Sequence, residues 1–136
     1  MGLLTGNRPK LGVTAEGSLQ PVDDKPQNSV SSQTSIEANK IAPLATGDDP
    51  QRAFQVLGNL LETFKGSSIL EKTDTYIRAE FETPTLRFVD DVEFLLAADQ
   101  QKIHVRSASR LGRKDFGVNR KRIEAIRSEL AETVGV

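Results

Sequence analysis

The chain has 136 residues, 37% of them hydrophobic, and a formal net charge of −1 from 18 basic and 19 acidic side chains; this fits one domain with an arm and excludes a uniformly basic nucleic-acid trap. Without cysteine there is no disulfide, thiolate metal site, iron–sulfur cluster or cysteine nucleophile, and the single histidine, His104, leaves no conventional histidine zinc site. No apolar run approaches about 20 residues, so no segment reads as a membrane-spanning helix.

Residues 1–47 read as an extended arm or linker. They are rich in Gly, Pro, Ser, Asn, Gln and Thr, and isolated apolar residues such as Leu11, Leu19, Val30 and Leu44 show no sustained period. The opening Met-Gly-Leu-Leu-Thr-Gly lacks the apolar core of a signal peptide and lacks the Ser or Thr at position 6 of a myristoylation signal. A cytoplasmic protein, at most peripheral to a membrane, is therefore expected.

Residues 48–136 read as a single α+β domain. Asp49 is suited to cap a helix that starts at Pro50, and Ala53, Phe54, Leu57, Leu60, Leu61 and Phe64 form one apolar stripe. With Gly66 as the terminator, this predicts a helix over 50–65. Four strands are expected next, over 68–72, 75–82, 86–96 and 102–110. Ile77, Ala79 and Phe81 alternate with Tyr76, Arg78 and Glu80, and Phe88, Val92, Phe94 and Leu96 share the inner face of the third strand. A turn near residues 99–100 registers the last hairpin, with Leu96 facing Ile103, Phe94 facing Val105, Val92 facing Ser107 and Glu93 facing Arg106. A helix over about 120–133 closes the chain, with Asn119 as its cap, Val118 and Ile123 spaced as a staple, and Ile123, Ile126, Leu130 and Val134 as its stripe. The expected architecture is a four-stranded, mainly antiparallel sheet with both helices on one face, preceded by the arm.

The near-zero net charge hides an asymmetry. Residues 71–101 carry eight acids and three bases, whereas residues 102–127 carry nine bases and two acids. Two such neighbouring segments most simply neutralise each other in the fold. One placement is unusual: Arg120, Lys121 and Arg122 fall in the first turn of the last helix, where the helix dipole already places partial positive charge. A carboxylate from elsewhere in the fold, or an anionic partner, must offset it.

Asp90 lies on the inward alternation and approaches Ser109. A buried carboxylate without a partner is costly, so Ser107, Ser109, Arg110 and the cations of the last helix are its candidate partners. One reading makes Asp90 a clamp on the basic segment. The other makes a polar pocket, floored by Asp90, Ser107 and Ser109 and rimmed by Arg110, Arg113, Arg120 and Arg122, that binds a small anion or anionic lipid headgroup. Arg106 reads first as the cross-strand partner of Glu93. The glycines of Leu-Gly-Arg-Lys-Asp-Phe-Gly do not make a P-loop, and Asp115 opposes a phosphate unless it turns away.

Asp90 and Asp91 point to opposite faces of a strand and cannot share one metal ion without a bulge. His104 faces Leu95 on the outer side, and no nucleophile–base pair emerges, so neither a metal nor a cofactor is expected; the residues lean away from an enzyme, and one that uses Asp90 with Ser107 or Ser109 stays open as the third reading. A phosphate-contacting stripe of Arg113, Lys114, Arg120, Lys121, Arg122 and Arg127 has Phe116 as its one nearby aromatic, which disfavours nucleic acid as a partner.

The segments Ile-Ala-Pro-Leu (41–44), Tyr-Ile-Arg-Ala-Glu-Phe (76–81), Phe-Val-Asp-Asp-Val-Glu-Phe (88–94), Val-Arg-Ser-Ala-Ser-Arg (105–110) and the run 115–127 resemble the domain-of-unknown-function family fourteen-ninety-nine. Arg-Pro-Lys-Leu-Gly-Val (8–13) and Asn-Ser-Val-Ser-Ser-Gln (28–33) extend the resemblance over most of the chain. The family occurs in bacteria, notably cyanobacteria, and in chloroplasts, so the resemblance implies a photosynthetic or membrane-associated context, but it supplies no activity. Members commonly carry two cysteines in the N-terminal part; Val22 and Ser29 stand near those places here, which removes any thiol role. The function expected is that of a non-enzymatic accessory or interaction domain. It would dock on a larger protein or complex through its arm and basic loop, with small-anion or anionic-lipid binding as the alternative.

Overall fold

A computed structural model describes residues 7–23, 25, 27–84, 87–112 and 115–136. In chain order these form β1 (Ser29–Ser31), β2 (Leu44–Ala45), α1 (Pro50–Leu61), β3 (Ser67–Lys72), β4 (Tyr76–Glu82), β5 (Val89–Ala97), β6 (Lys102–Ser109) and α2 (Val118–Val134), with single 3-10 turns at Glu37–Asn39 and Ala98–Gln100. The fold is α+β. Its sheet runs β1-β6-β5-β4-β3, and β2 also pairs with β6. Every strand pairing is antiparallel.

The sheet therefore has six strands rather than the expected four. The additional two come from the segment read as an arm. Val30 pairs with Ser107 and Leu44 with Ile103, so β1 and β2 extend the sheet along the free side of β6. At three and two residues, these strands are too short to display a period; β6 supplies their hydrogen-bonding template. The β5–β6 register agrees with the expected one at every pair, including Asp90 opposite Ser109 and His104 opposite Leu95.

Helix α1 starts as expected, with the Asp49 carboxylate accepting from the Arg52 amide and Pro50 at the first position, but it ends at Leu61 instead of 65. Gly66 turns the chain into β3 in a left-handed conformation, φ 85°, where a Cβ would sit 2.3 Å from the Glu82 carbonyl oxygen. Only glycine fits that approach. Strand β5 starts at Val89, later than the expected 86, and Leu86 lies outside the described residues.

Phe54, Leu57 and Leu61 of α1, Ile123, Ile126 and Leu130 of α2, and Ile77, Ala79, Phe81, Val92, Phe94, Leu96, Ile103 and Val105 of the sheet form one buried cluster. Both helices thus cover the same face. The opposite face is not left to water, because Leu19 and Val22 are buried there and Asp91 and Glu93 beneath the N-terminal segment are at most 1% exposed.

Candidate functional site

The charged segments meet through the β5–β6 hairpin, and alternation sorts their ion pairs onto two faces. On the helix side, Asp90 is fully buried and its Oδ2 accepts from Arg122 Nη2 at 2.8 Å. Arg122 Nη1 also donates to Asn119 Oδ1 at 2.8 Å and to Ser107 Oγ at 3.2 Å, while its guanidinium lies 4.9 Å from the centre of the Phe81 ring. Ser107 Oγ donates to Asn119 Oδ1 at 2.6 Å. The Asn119 amide nitrogen reaches the Asn28 carbonyl, Ser109 Oγ and an Asp115 carboxylate oxygen. This network joins β5, β6, the segment before β1 and the start of α2. Among the described residues, the buried Asp90 Oδ1 has no hydrogen-bond partner.

The network also explains the cations in the first turn of α2. The helix begins at Val118, with Gly117 in the capping position at φ 84°, so Asn119 is not the cap. Asp115 takes over that chemistry, accepting from the Gly117 and Asn119 amides at 2.9 and 3.2 Å. Two carboxylates, Asp115 and Asp90, thus offset the positive helix end and the cations it carries.

On the opposite face, Arg110 forms a two-pronged pair with Asp91, at 2.9 and 3.0 Å, and also reaches Glu80. Glu80 in turn binds Arg8 at 2.6 Å. Burial raises the Glu80 pKa, but hydrogen bonds and charge from Arg8 and Arg110 outweigh it and hold the carboxylate below its ordinary value. Glu93, fully buried, accepts from the Tyr76 hydroxyl at 2.5 Å and from the Gly12 amide at 3.0 Å, with Arg106 Nη1 3.8 Å from its other oxygen. Burial, followed by the Glu93 hydrogen bond, pushes the Tyr76 phenol well above its usual range. Arg106 also donates to the Gln20 and Pro21 carbonyls, tying the N-terminal segment across this face.

Of the residues singled out in the sequence, Asp90, Ser107, Ser109, Asn119 and Arg122 come together. Arg106 and Arg110 lie on the other face, so they share no rim with Arg122. Arg120 projects from the start of α2 and donates to the Ala38 carbonyl at 3.3 Å, while Arg113 lies outside the described residues. Sequence reasoning missed Tyr76 as a partner of Glu93, Asp115 as the acceptor for the amides at the start of α2, and the presentation of Phe116. The spacing of Asp115 before Gly117 and Asn119 carries the signal of a side-chain-to-backbone turn. The burial of Glu93 under residues 8–22 has no local sequence signal.

Phe116 is the exception to this internal pairing. It is 80% exposed and sits at φ 54°, a left-handed conformation that costs a bulky residue roughly 1–2 kcal/mol. The loop around it is anchored, since the Asp115 amide donates to the Gln27 carbonyl and the Val118 amide to the Asp115 carbonyl. A cavity of about 260 Å³ opens beside the ring, with Ser29, Val30, Ala38, Gly117 and Arg120 among its lining residues.

His104 gives a pH-dependent readout of the sheet's outer face. Its Nδ1 lies 3.1 Å from Ser32 Oγ, and burial, followed by the charge of Lys102, lowers its pKa from 6.5. A lowered folded-state pKa means that the unfolded chain takes up a proton first, so stability is full above about pH 6.5 and falls as pH drops toward the folded value. The urea midpoint of the wild type should decline from pH 7 to 5 more steeply than that of His104→Gln. Parallel curves would show that His104 titrates alike in both states.

These features define an α+β domain whose two charged, buried networks join the sheet to its last helix and to its N-terminal segment. The chain belongs to the family described as Protein of unknown function (DUF1499), whose model matches residues 18–130. Neither the curated proteins nor the solved structures contain a match. Among the described residues, no helix is long and apolar enough to cross a membrane.

Proposed function

We propose that this protein is a non-enzymatic accessory domain that docks on a larger protein assembly through its basic loop, with the N-terminal segment bracing the sheet from the far side. A photosynthetic or membrane-associated assembly is the first setting to search. One observation carries the reading. Phe116 is a large apolar side chain held out into solvent in a strained conformation by a loop whose flanking groups are bonded. Strain at an exposed aromatic is retained where the side chain acts on something outside the chain, and aromatic and arginine side chains dominate binding energy at interfaces. The small-anion alternative draws less support, because Arg110 and Arg122 already direct their donors to Asp91, Glu80 and Asp90.

Phe116→Gly separates docking from folding. It removes the ring and relieves the left-handed strain together, so the domain should become more stable by up to about 1 kcal/mol. Loss of an anchoring aromatic should meanwhile weaken association by about 2 kcal/mol or more. The measurement is native mass spectrometry of tagged wild type and variant purified gently from the source organism. Equal co-purification of a partner by both would overturn the reading.

A further inference from the structure

The cavity beside Phe116 indicates what kind of partner would dock. Its volume, about 260 Å³, exceeds what a single phosphate or carboxylate fills, and its lining is chemically mixed. Val30, Ala38 and Phe116 supply apolar lining, and Arg120, which donates to the Ala38 carbonyl, lies beside them. Arg120 makes one hydrogen bond, to the Ala38 carbonyl, and no ion pair among the described residues, which leaves most of its donors open. Lys121 beside it is exposed. The one carboxylate in the lining, Asp115, is 7% exposed and already engaged by the Gly117 and Asn119 amides and the Asn119 side chain. Those same bonds occupy the Gly117 and Asn119 amides at the helix start, and the Val118 amide donates to the Asp115 carbonyl, so the site does not rest on them.

We propose that this cavity binds an acidic–apolar segment of a partner protein. An apolar side chain would lodge against Val30, Ala38 and Phe116, and a carboxylate one or two residues away would take the open donors of Arg120. The proposal rests on the docking reading and names the partner's chemistry. A protein segment fits better than a bilayer because the apolar surface is concave: Phe116 is the lip of a hollow between β1, the turn at Glu37–Asn39 and the start of α2. A flat lipid surface would reach the ring and leave the hollow unfilled.

The test uses the full chain, ¹⁵N-labelled, at low salt. The probes are the peptide acetyl-Asp-Leu-Glu-Leu-amide, its uncharged counterpart acetyl-Asn-Leu-Gln-Leu-amide, and vesicles of phosphatidylglycerol with phosphatidylcholine. The acidic peptide should give saturable amide shifts at Ala38, Phe116, Gly117 and Arg120, with a dissociation constant on the order of a millimolar, as suits so small a ligand. Arg120→Glu, at a solvent-accessible position, should weaken it by about tenfold or more, as should the uncharged peptide. Equal binding of both peptides would remove the carboxylate from the proposal, and shifts from neither would overturn it. Perturbation of these amides by the vesicles alone would assign the surface to lipid instead. If Phe116→Gly loses its natural partner while the acidic peptide fails to bind, docking stands and the acidic partner falls; if Phe116→Gly keeps that partner, docking itself falls.

Discussion

Replacing Arg122 with methionine is expected to destabilise the domain by about 3–5 kcal/mol, the usual cost of leaving a buried charge without its partner. The methionine chain preserves much of the apolar stem against Phe81, so the loss is electrostatic rather than a cavity effect. Asp90 is fully buried, its Oδ2 has Arg122 as its hydrogen-bond donor, and its Oδ1 has none among the described residues. Removing the guanidinium leaves that carboxylate unpaired in the interior and strips donors from Ser107 and Asn119. The pair itself need not be strongly stabilising, since desolvation offsets much of its attraction. The double variant Asp90→Val with Arg122→Met should accordingly recover at least half of the loss. Urea unfolding of wild type, single and double variants measures both effects. A single-variant cost below about 1 kcal/mol would place the pair with solvent-screened surface bridges, and a double variant no better than the single one would show that Arg122 acts through Asn119 instead.

The parts of this fold that show in the sequence are those with a repeating signal. The stripe from Ala53 to Phe64 identified α1, and alternation along Ile77–Phe81 and Val92–Leu96 separated core from cover, so the Glu93–Arg106 and Asp90–Ser109 registers followed from one turn position. The inward aim of Asp90 was legible for the same reason, and so was its need for a cation from the last helix. What stayed hidden depends on contacts between segments far apart in sequence. β1 exists because Val30 and its neighbours find β6, more than 70 residues later. The joint rim of Arg110 and Arg122 was drawn from proximity in sequence, but a strand sends Arg110 to the Asp91 side and the helix returns Arg122 to the Asp90 side. Asn119 looked like a cap because its type favours that role; Asp115, four residues earlier, was better placed to accept the free amides, which released the Asn119 side chain to bridge Ser107, Ser109 and Asn28. The left-handed conformation of Phe116 has no sequence signature, because Phe is not a residue that favours it.

Arg106→Met should produce the second large effect, again about 3–5 kcal/mol, but with a different structural consequence. Arg106 has its side chain 13% exposed and is the cation nearest the fully buried Glu93. Burial lowers its pKa from the ordinary arginine value, which Glu93 and then Asp91 oppose, so the guanidinium remains charged in place. Its substitution removes the ion pair at 3.8 Å from Glu93 and leaves the carboxylate with its two neutral hydrogen-bond donors, the Tyr76 hydroxyl and the Gly12 amide. It also removes the bonds that hold the Gln20 and Pro21 carbonyls to the sheet. The N-terminal segment should therefore loosen before the helices do. Limited proteolysis should cut within residues 8–22 of the variant under conditions that leave the wild type intact, and hydrogen exchange at Gly12 should accelerate while Ile123 to Leu130 stay protected. Glu93→Gln offers the complementary case: it keeps acceptors for Tyr76 and Gly12 while removing the buried anion, and in the Arg106→Met background it should restore part of the lost stability. Uniform loosening of both helices and N-terminal segment in Arg106→Met would show instead that the outer-face network and the helix-side core unfold as one unit, joined through β5 and β6.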